Sequence, residues 1–163
     1  MYAIQRILVP VDYSEISRAA ISFAIQLADQ QGAELWLLRV QADLDRELQR
    51  RIQSDPHGNA VSEGIEAEEQ QLRDALDLEY TRAEQAGTPL SRAPIHLHVS
   101  GGDWMEVAVQ MVEDEEIDVI VTGTHGPKGV KGMLLGSMSQ QLVGKSTCSV
   151  FVVKPKGFPY LRD

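Results

Sequence analysis

Cysteine is nearly absent: Cys148 is the single thiol in 163 residues. No disulfide can form within the chain, as expected in a reducing compartment, and Cys148 itself reads as a small buried hydrophobe rather than a nucleophile. Long apolar runs are also missing. None approaches the roughly 20 residues that span a bilayer, and the opening "MYAIQRILVPVDYS" is broken by Pro10 and lacks the features of a signal peptide. The expectation is a soluble, cytoplasmic protein with no membrane insertion. Basic residues are the minority, 15 Lys and Arg against 24 Asp and Glu, for a net charge of −9. With no basic patch to oppose that charge, nucleic acid and anionic membrane are excluded as partners. Repeats, low-complexity tracts and domain boundaries are lacking too, so residues 1–163 read as one domain, long enough to bury about two-thirds of its unfolded surface.

What is present is an alternation of short apolar runs and helical patterns. Ile7 to Val11 is a β-branched run ended by a turn. Ser14 follows as an N-cap, with Ile16, Ala20, Phe23, Ala24 and Leu27 at helical spacing and Gly32 as the stop. Glu34 to Val40 is nearly continuous in apolar character, as strands buried on both faces are. Leu44, Leu48 and Ile52 recur every four residues, predicting a short helix or variable loop across 41–63 that "SDPHGN" breaks. A helix is expected to resume near Ile65 and end at Gly87. "IHLHV" is a third strand, and "GGD" starts a helix through Val107 to Val112. Ile117 to Val121 is a fourth strand, Ser137 to Val143 a fourth helix and "SVFVV" a fifth strand, with a tail over 154–163.

Strands alternating with helices predict an α/β domain with an open five-stranded parallel sheet, helices on both faces and strand order 3-2-1-4-5. Ligands of such sheets sit beyond the carboxyl ends of the strands where the order reverses. The two loops meeting there are "PVDYS" and "GTHGPKGVKGMLLGSMSQ", Gly123 to Gln140, which holds five of the thirteen glycines. Glycines let backbone amides approach a phosphate closely, and the helix starting near Ser137 adds free N–H groups and a positive dipole end. Asp12 faces the same crevice with a carboxylate suited to ribose hydroxyls or an adenine edge.

At these residues the chain resembles the universal stress proteins, specifically their ATP-binding branch. Its motif G-x2-G-x9-G-[S/T] is matched by Gly123, Gly126, Gly136 and Ser137, and "ILVPVDYSE" and "SVFVVKP" resemble its first and last strands. The resemblance covers the whole chain and implies a Rossmann-like fold of the adenine nucleotide alpha hydrolase type. It further implies that Pro10, Val11 and Asp12 line the adenosine pocket, with Asp12 on the ribose and the backbone of Val40 on adenine. Gly123, Gly126, Gly136, Ser137 and Ser139, with Met138 between the serines, surround the phosphates of ATP, which a Mg2+ or Mn2+ ion bridges. The protein then acts as a nucleotide-responsive regulatory or stress-response module. Its partners are an unknown regulatory protein and a second copy, paired through the edge strand Ser149 to Pro155. Arg39 stands where His is common, and Met138 where a smaller β-branched residue is frequent; the 41–63 segment varies among members.

Other readings stay open beside these. A glycine-rich turn can serve connection alone, Asp12 can cap the first helix, and Lys128 and Lys131 can be solvated loop lysines. His125 either donates to an anion or shapes its turn, and His57 sits in a loop. "GKS" at Gly144 is not a Walker A loop, because Ser stands at 139 and the triplet precedes a strand. "SGGD" at Ser100 is like a pyrophosphate-binding loop but lacks the later Ser. His96 and His98 share a strand face without an evident third metal ligand. The alternatives to a regulatory module are a slow ATPase or nucleotidyl-transfer enzyme, for which no paired carboxylates or activated nucleophile are visible, and a dimeric scaffold with an unused site. The tail "KGFPYLRD" could instead fold back over the last strand.

Overall fold

The computed structural model describes residues 3–41, 59–124 and 136–154. Among these, strands and helices alternate: β1 Arg6–Pro10, α1 Glu15–Gln31, β2 Glu34–Val40, α2 Asn59–Gln85, β3 Ile95–Ser100, α3 Trp104–Asp114, β4 Val119–Gly123, α4 Ser137–Lys145 and β5 Ser149–Val153. The strands form one sheet in the order β3-β2-β1-β4-β5. Every neighbouring pair is parallel, with Val9 beside Leu37 and Leu8 beside Ile120 at the centre.

Period-two alternation along the strands splits the core in two. Ile7, Val9, Leu35 and Leu37 turn one way, against Ala20, Ala24 and Ile25 of α1 and Leu72 and Leu76 of α2. Leu8, Leu38 and Ile120 turn the other way, against Met105, Ala108 and Met111 of α3 and Leu142 of α4. Both faces of the central strands are therefore dry, and each fully buried Leu or Ile contributes about 1.5–3 kcal/mol.

α1 starts and stops as its sequence dictates. The Ser14 hydroxyl accepts from the Ser17 amide at 3.1 Å, and Gly32, at φ 67, closes the helix through its N–H to the Ala28 carbonyl. Phe23, expected on the buried stripe, is 39% exposed. The stripe runs through Ala20, Ile21, Ala24, Ile25 and Ala28, which puts Phe23 at its border, where its ring meets Phe151 of β5 at 5.9 Å.

Several expected boundaries move: β1, read as Ile7 to Val11, runs Arg6–Pro10, and α4, read as Ser137 to Val143, runs on to Lys145. α2 begins at Asn59, well before Ile65, because the helix starts as soon as the "SDPHGN" breaker ends and Gly64 does not interrupt it. The last residues of the 41–63 segment thus belong to α2, while 42–58, with Leu44, Leu48 and Ile52, lies outside the described residues, as do the tail 155–163 and the last residue of the Ser149 to Pro155 stretch. β4 runs Val119–Gly123 rather than Ile117 to Val121. The Ile117 amide still donates to the Val112 carbonyl at 3.0 Å, and Glu116 stands at φ 47, so the turn after α3 consumes the start of the apolar run. Among the described residues no helix is long and apolar enough to cross a membrane.

Candidate functional site

β1 pairs with β2 on one side and β4 on the other, so the chain order reverses across it. Beyond the carboxyl ends of these three strands lies a crevice of about 150 Å³. Pro10, Val11 and Asp12 form one wall and Leu38, Arg39 and Val40 a second. Thr122 and Gly123 of β4, Ser14 and Ser17 of α1, Trp104 of α3 and Met138 of α4 complete it.

The first wall is held by its own backbone. Val11 donates its amide to the Leu38 carbonyl at 2.8 Å, tying the two walls together. Asp12 donates its N–H to Ser17 Oγ at 3.3 Å and accepts the Ser14 amide on Oδ1 at 3.0 Å, an Asx turn leading into α1. Ser14, not Asp12, supplies the helix cap. The second carboxylate oxygen of Asp12 makes no hydrogen bond among the described residues.

Gly123 answers to packing as well as to any ligand. A Cβ built there would fall 2.1 Å from Ile16 Cγ2 and 3.1 Å from the Ile16 carbonyl oxygen, where the first turn of α1 crosses β4. Gly123→Ala is therefore expected to cost about 1–3 kcal/mol through overpacking, and to lower Tm by about 2–4 °C per kcal/mol in a chain of this size. Calorimetric unfolding checks it. Adding Ile16→Ala should recover part of the loss, and an unchanged Tm in the single variant would contradict the contact.

The far end of the glycine loop comes back to its near end. Gly136 donates its amide to the Thr124 carbonyl, and the Ser139 hydroxyl bonds the Gly123 carbonyl at 2.6 Å and the Thr124 carbonyl at 3.1 Å. Ser139 is 1% exposed; its hydroxyl fastens the loop from behind and does not line the crevice. Gly136 is the N-cap of α4 and provides no side-chain acceptor for the first-turn amides. Thr124 is fully buried, and its Oγ1 has no hydrogen-bond partner among the described residues. Gly126, with His125, Lys128 and Lys131, lies outside the described residues, as does the side chain of Ser137. The structure thus brings together Pro10, Val11, Asp12, Val40, Gly123 and Met138 at the crevice, with Gly136 at the end of the same loop.

Trp104, Thr122, Leu38 and Ser17 also border the crevice, and the motif does not name them. A signal for each existed in position: Thr122 and Leu38 stand near strand carboxyl ends, and Ser17 and Trp104 in the first turns of helices that begin at that edge of the sheet.

The remaining polar features resolve into structural roles. Asp103, in "SGGD", accepts the amides of Met105 and Glu106 at 2.9 and 3.1 Å and caps α3. His96 stacks on Trp36 at 4.0 Å and pairs with Glu34 Oε2 at 3.0 Å. No group of three or more His, Cys, Asp or Glu that could hold a metal occurs among the described residues. Half-burial pushes the Cys148 thiol up from its ordinary range, a hydrogen bond from Ser146 opposing it, so its nucleophilic thiolate is disfavoured.

A parallel α/β sheet with this strand order and a crevice at its switch point defines a doubly wound class of architecture, whose ligands sit at that point. Within that class the chain belongs to the universal stress protein family, whose profile matches residues 3–154. It is 30% identical to universal stress protein MJ0577 of Methanocaldococcus jannaschii over 93% of this chain and 96% of that one. The solved structure of MJ0577 superposes with a TM-score of 0.66 at 25% identity, covering 95% of this chain and 99% of the other. A universal stress protein solved in complex with cAMP shares the fold at a TM-score of 0.61 and 24% identity, over 93% and 98% of the two chains.

Proposed function

We propose that this universal stress protein binds ATP in the switch-point crevice and acts as a nucleotide-responsive regulatory module in the cytoplasm. The observation that carries the reading is an Asp12 carboxylate oxygen at the crevice with no hydrogen bond among the described residues, together with an α4 N-terminus whose N-cap, Gly136, offers no side-chain acceptor. A ribose offers hydroxyl donors to the first, and phosphate oxygens are acceptors for the second. A complete nucleotide needs more room than about 150 Å³, since ligand pockets begin near about 300 Å³. The described crevice therefore bounds only part of such a ligand, and the proposal assigns the phosphates to the motif residues Gly123, Gly126, Gly136 and Ser137. A Mg2+ or Mn2+ ion would be held chiefly by phosphate oxygens and water, the usual arrangement when protein carboxylates are few. That proteins of this fold have been solved with cAMP and, in an Archaeoglobus fulgidus member, with dAMP makes adenine nucleotides the first ligands to test.

Binding rather than turnover is the proposed activity, with a partner protein reading the bound state as a shift in conformation or assembly. The direct test is to denature the purified protein, identify any released nucleotide by chromatography, and titrate the refilled or empty protein with ATP and magnesium. No binding at millimolar ATP would sink the assignment. Steady phosphate release from ATP would turn it into an enzyme.

Asp12→Ala should weaken ATP by about 1.5–3 kcal/mol, the loss of a hydrogen bond to a charged group, while inorganic triphosphate is nearly unaffected. Asp12→Asn keeps an acceptor for the Ser14 amide and separates the charge from the turn. Equal losses for ATP and triphosphate would show that residue 12 acts through the turn alone.

A further inference from the structure

We propose that Glu68 is a positioning residue for the crevice, holding Arg39 of one wall and Tyr13, the chain neighbour of Asp12 in the other, and fastening both to α2. Tyr13 follows Asp12 in the turn after β1, at φ 62, a left-handed conformation that aromatic residues seldom adopt without tertiary contacts to hold it. Arg39 stands between Leu38 and Val40 at the end of β2, and all three border the crevice. Its guanidinium lies over the Tyr13 ring, 4.9 Å from the centroid. Glu68 reaches in from α2 to both: Oε2 accepts the Tyr13 hydroxyl at 3.1 Å and lies 3.6 Å from Arg39 Nε.

The geometry separates the two contacts. Arg39 Nε is buried without a hydrogen-bond partner, so its interaction with Glu68 is a charge pairing, whereas Tyr13 makes a true hydrogen bond. The Arg39 and Glu68 side chains are 22% and 19% exposed, which limits the solvent screening that weakens surface pairs. One carboxylate therefore serves two partners, Arg39 in one wall and Tyr13 directly after the other. Asp12 and Val40, the residues assigned to ribose and adenine, are the immediate chain neighbours of Tyr13 and Arg39. A nucleoside that orders the first pair orders the second, and Glu68 passes the restraint to α2. Because coupling between sites is reciprocal, whatever shifts α2 alters nucleotide affinity by the same factor.

The affinity arm of the test rests on the nucleotide reading above; a second arm needs no ligand. Burial, reinforced by Glu68 and opposed by Arg39, pushes the Tyr13 hydroxyl up to about 12. Spectrophotometric titration of the parent, with Tyr13→Phe to identify the residue, should show this late ionisation. Glu68→Ala should bring it back towards the ordinary value near 10, with Glu68→Gln between. In the second arm, ATP should slow amide exchange in α2 around Glu68 in the parent. Glu68→Ala should lose that protection and bind ATP about five- to tenfold more weakly, at the low end of inter-site couplings. If the parent binds ATP but α2 exchange ignores it, or if Glu68→Ala binds ATP as the parent does, the proposal falls while the nucleotide reading stands. If the parent binds no ATP, the nucleotide reading falls alone and the titration decides: a Tyr13 that ionises alike with and without Glu68 overturns the positioning role.

Discussion

Gly136→Val should bind no ATP at concentrations that saturate the parent, a loss on the order of 100-fold or more, or about 2.8 kcal/mol. Gly136 sits at φ −71 and ψ 161, extended backbone open to any residue, so glycine is not required there by torsion. Its amide holds the Thr124 carbonyl, and valine keeps that bond. What valine changes is the space in front of the α4 amides, which Gly136 itself does not cap and which a phosphate would occupy. Isothermal titration checks binding and circular dichroism checks the fold. Gly136→Ser sharpens the result, because a serine hydroxyl would cap those amides itself and gain a few tenths of a kcal/mol for the helix. Serine should therefore weaken ATP while slightly raising Tm. A valine variant that binds ATP like the parent would move the phosphates away from α4.

Much of this architecture was legible because its signals are local. β2, read as Glu34 to Val40, and β5, read as Ser149 to Val153, keep those bounds, since each is a β-branched or leucine-rich run stopped by polar residues. Ser14, Gly32 and Asp103 cap as expected because capping depends on the backbone within three or four residues. The parallel sheet followed from the strand-helix alternation, and the expected order 3-2-1-4-5 is the one observed.

What the sequence did not show lies where a distant contact decides. Ile117 is apolar like the strand after it, yet Asp118 accepts the amides of Gln5 and Arg6 on Oδ2 at 2.7 and 3.0 Å, and that clamp to the start of β1 holds the approach to β4 as a turn. Ser139 belongs to a motif that points to phosphate, but its side-chain direction depends on where the Gly123 and Thr124 carbonyls end up across the loop. Gly123 reads from sequence as a phosphate glycine, and only packing reveals Ile16 against it. Trp104 escaped notice because nothing in its neighbourhood except the cap Asp103 says that α3 begins beside the crevice.

Val152→Pro and Phe151→Pro should part company, one giving a soluble folded monomer and the other an unfolded or aggregated chain. β5 pairs with β4 on one side, Val152 opposite Thr122 and Phe151 opposite Val121, and is the last strand of the sheet. Consecutive residues of a parallel strand send their N–H groups to opposite sides, so one of these two donates to β4 and the other outward. Proline removes the donor in either case. Lost on the β4 side, it loosens the sheet; lost on the outer side, it spoils whatever adds to the edge. An uncovered edge of Val150, Phe151, Val152 and Val153 is an aggregation hazard, and beside it Phe151 is 44% and Phe23 39% exposed, an aromatic pair that a second copy would cover. Antiparallel pairing of β5 with its copy across a two-fold axis is isologous and closes as a dimer. Light scattering should therefore find the parent dimeric at micromolar concentration, and deletion of residues 158–163 should leave that dimer intact if the tail does not cover the edge. A monomeric parent would overturn the interface. A dimer that survives both proline variants would place it on another face.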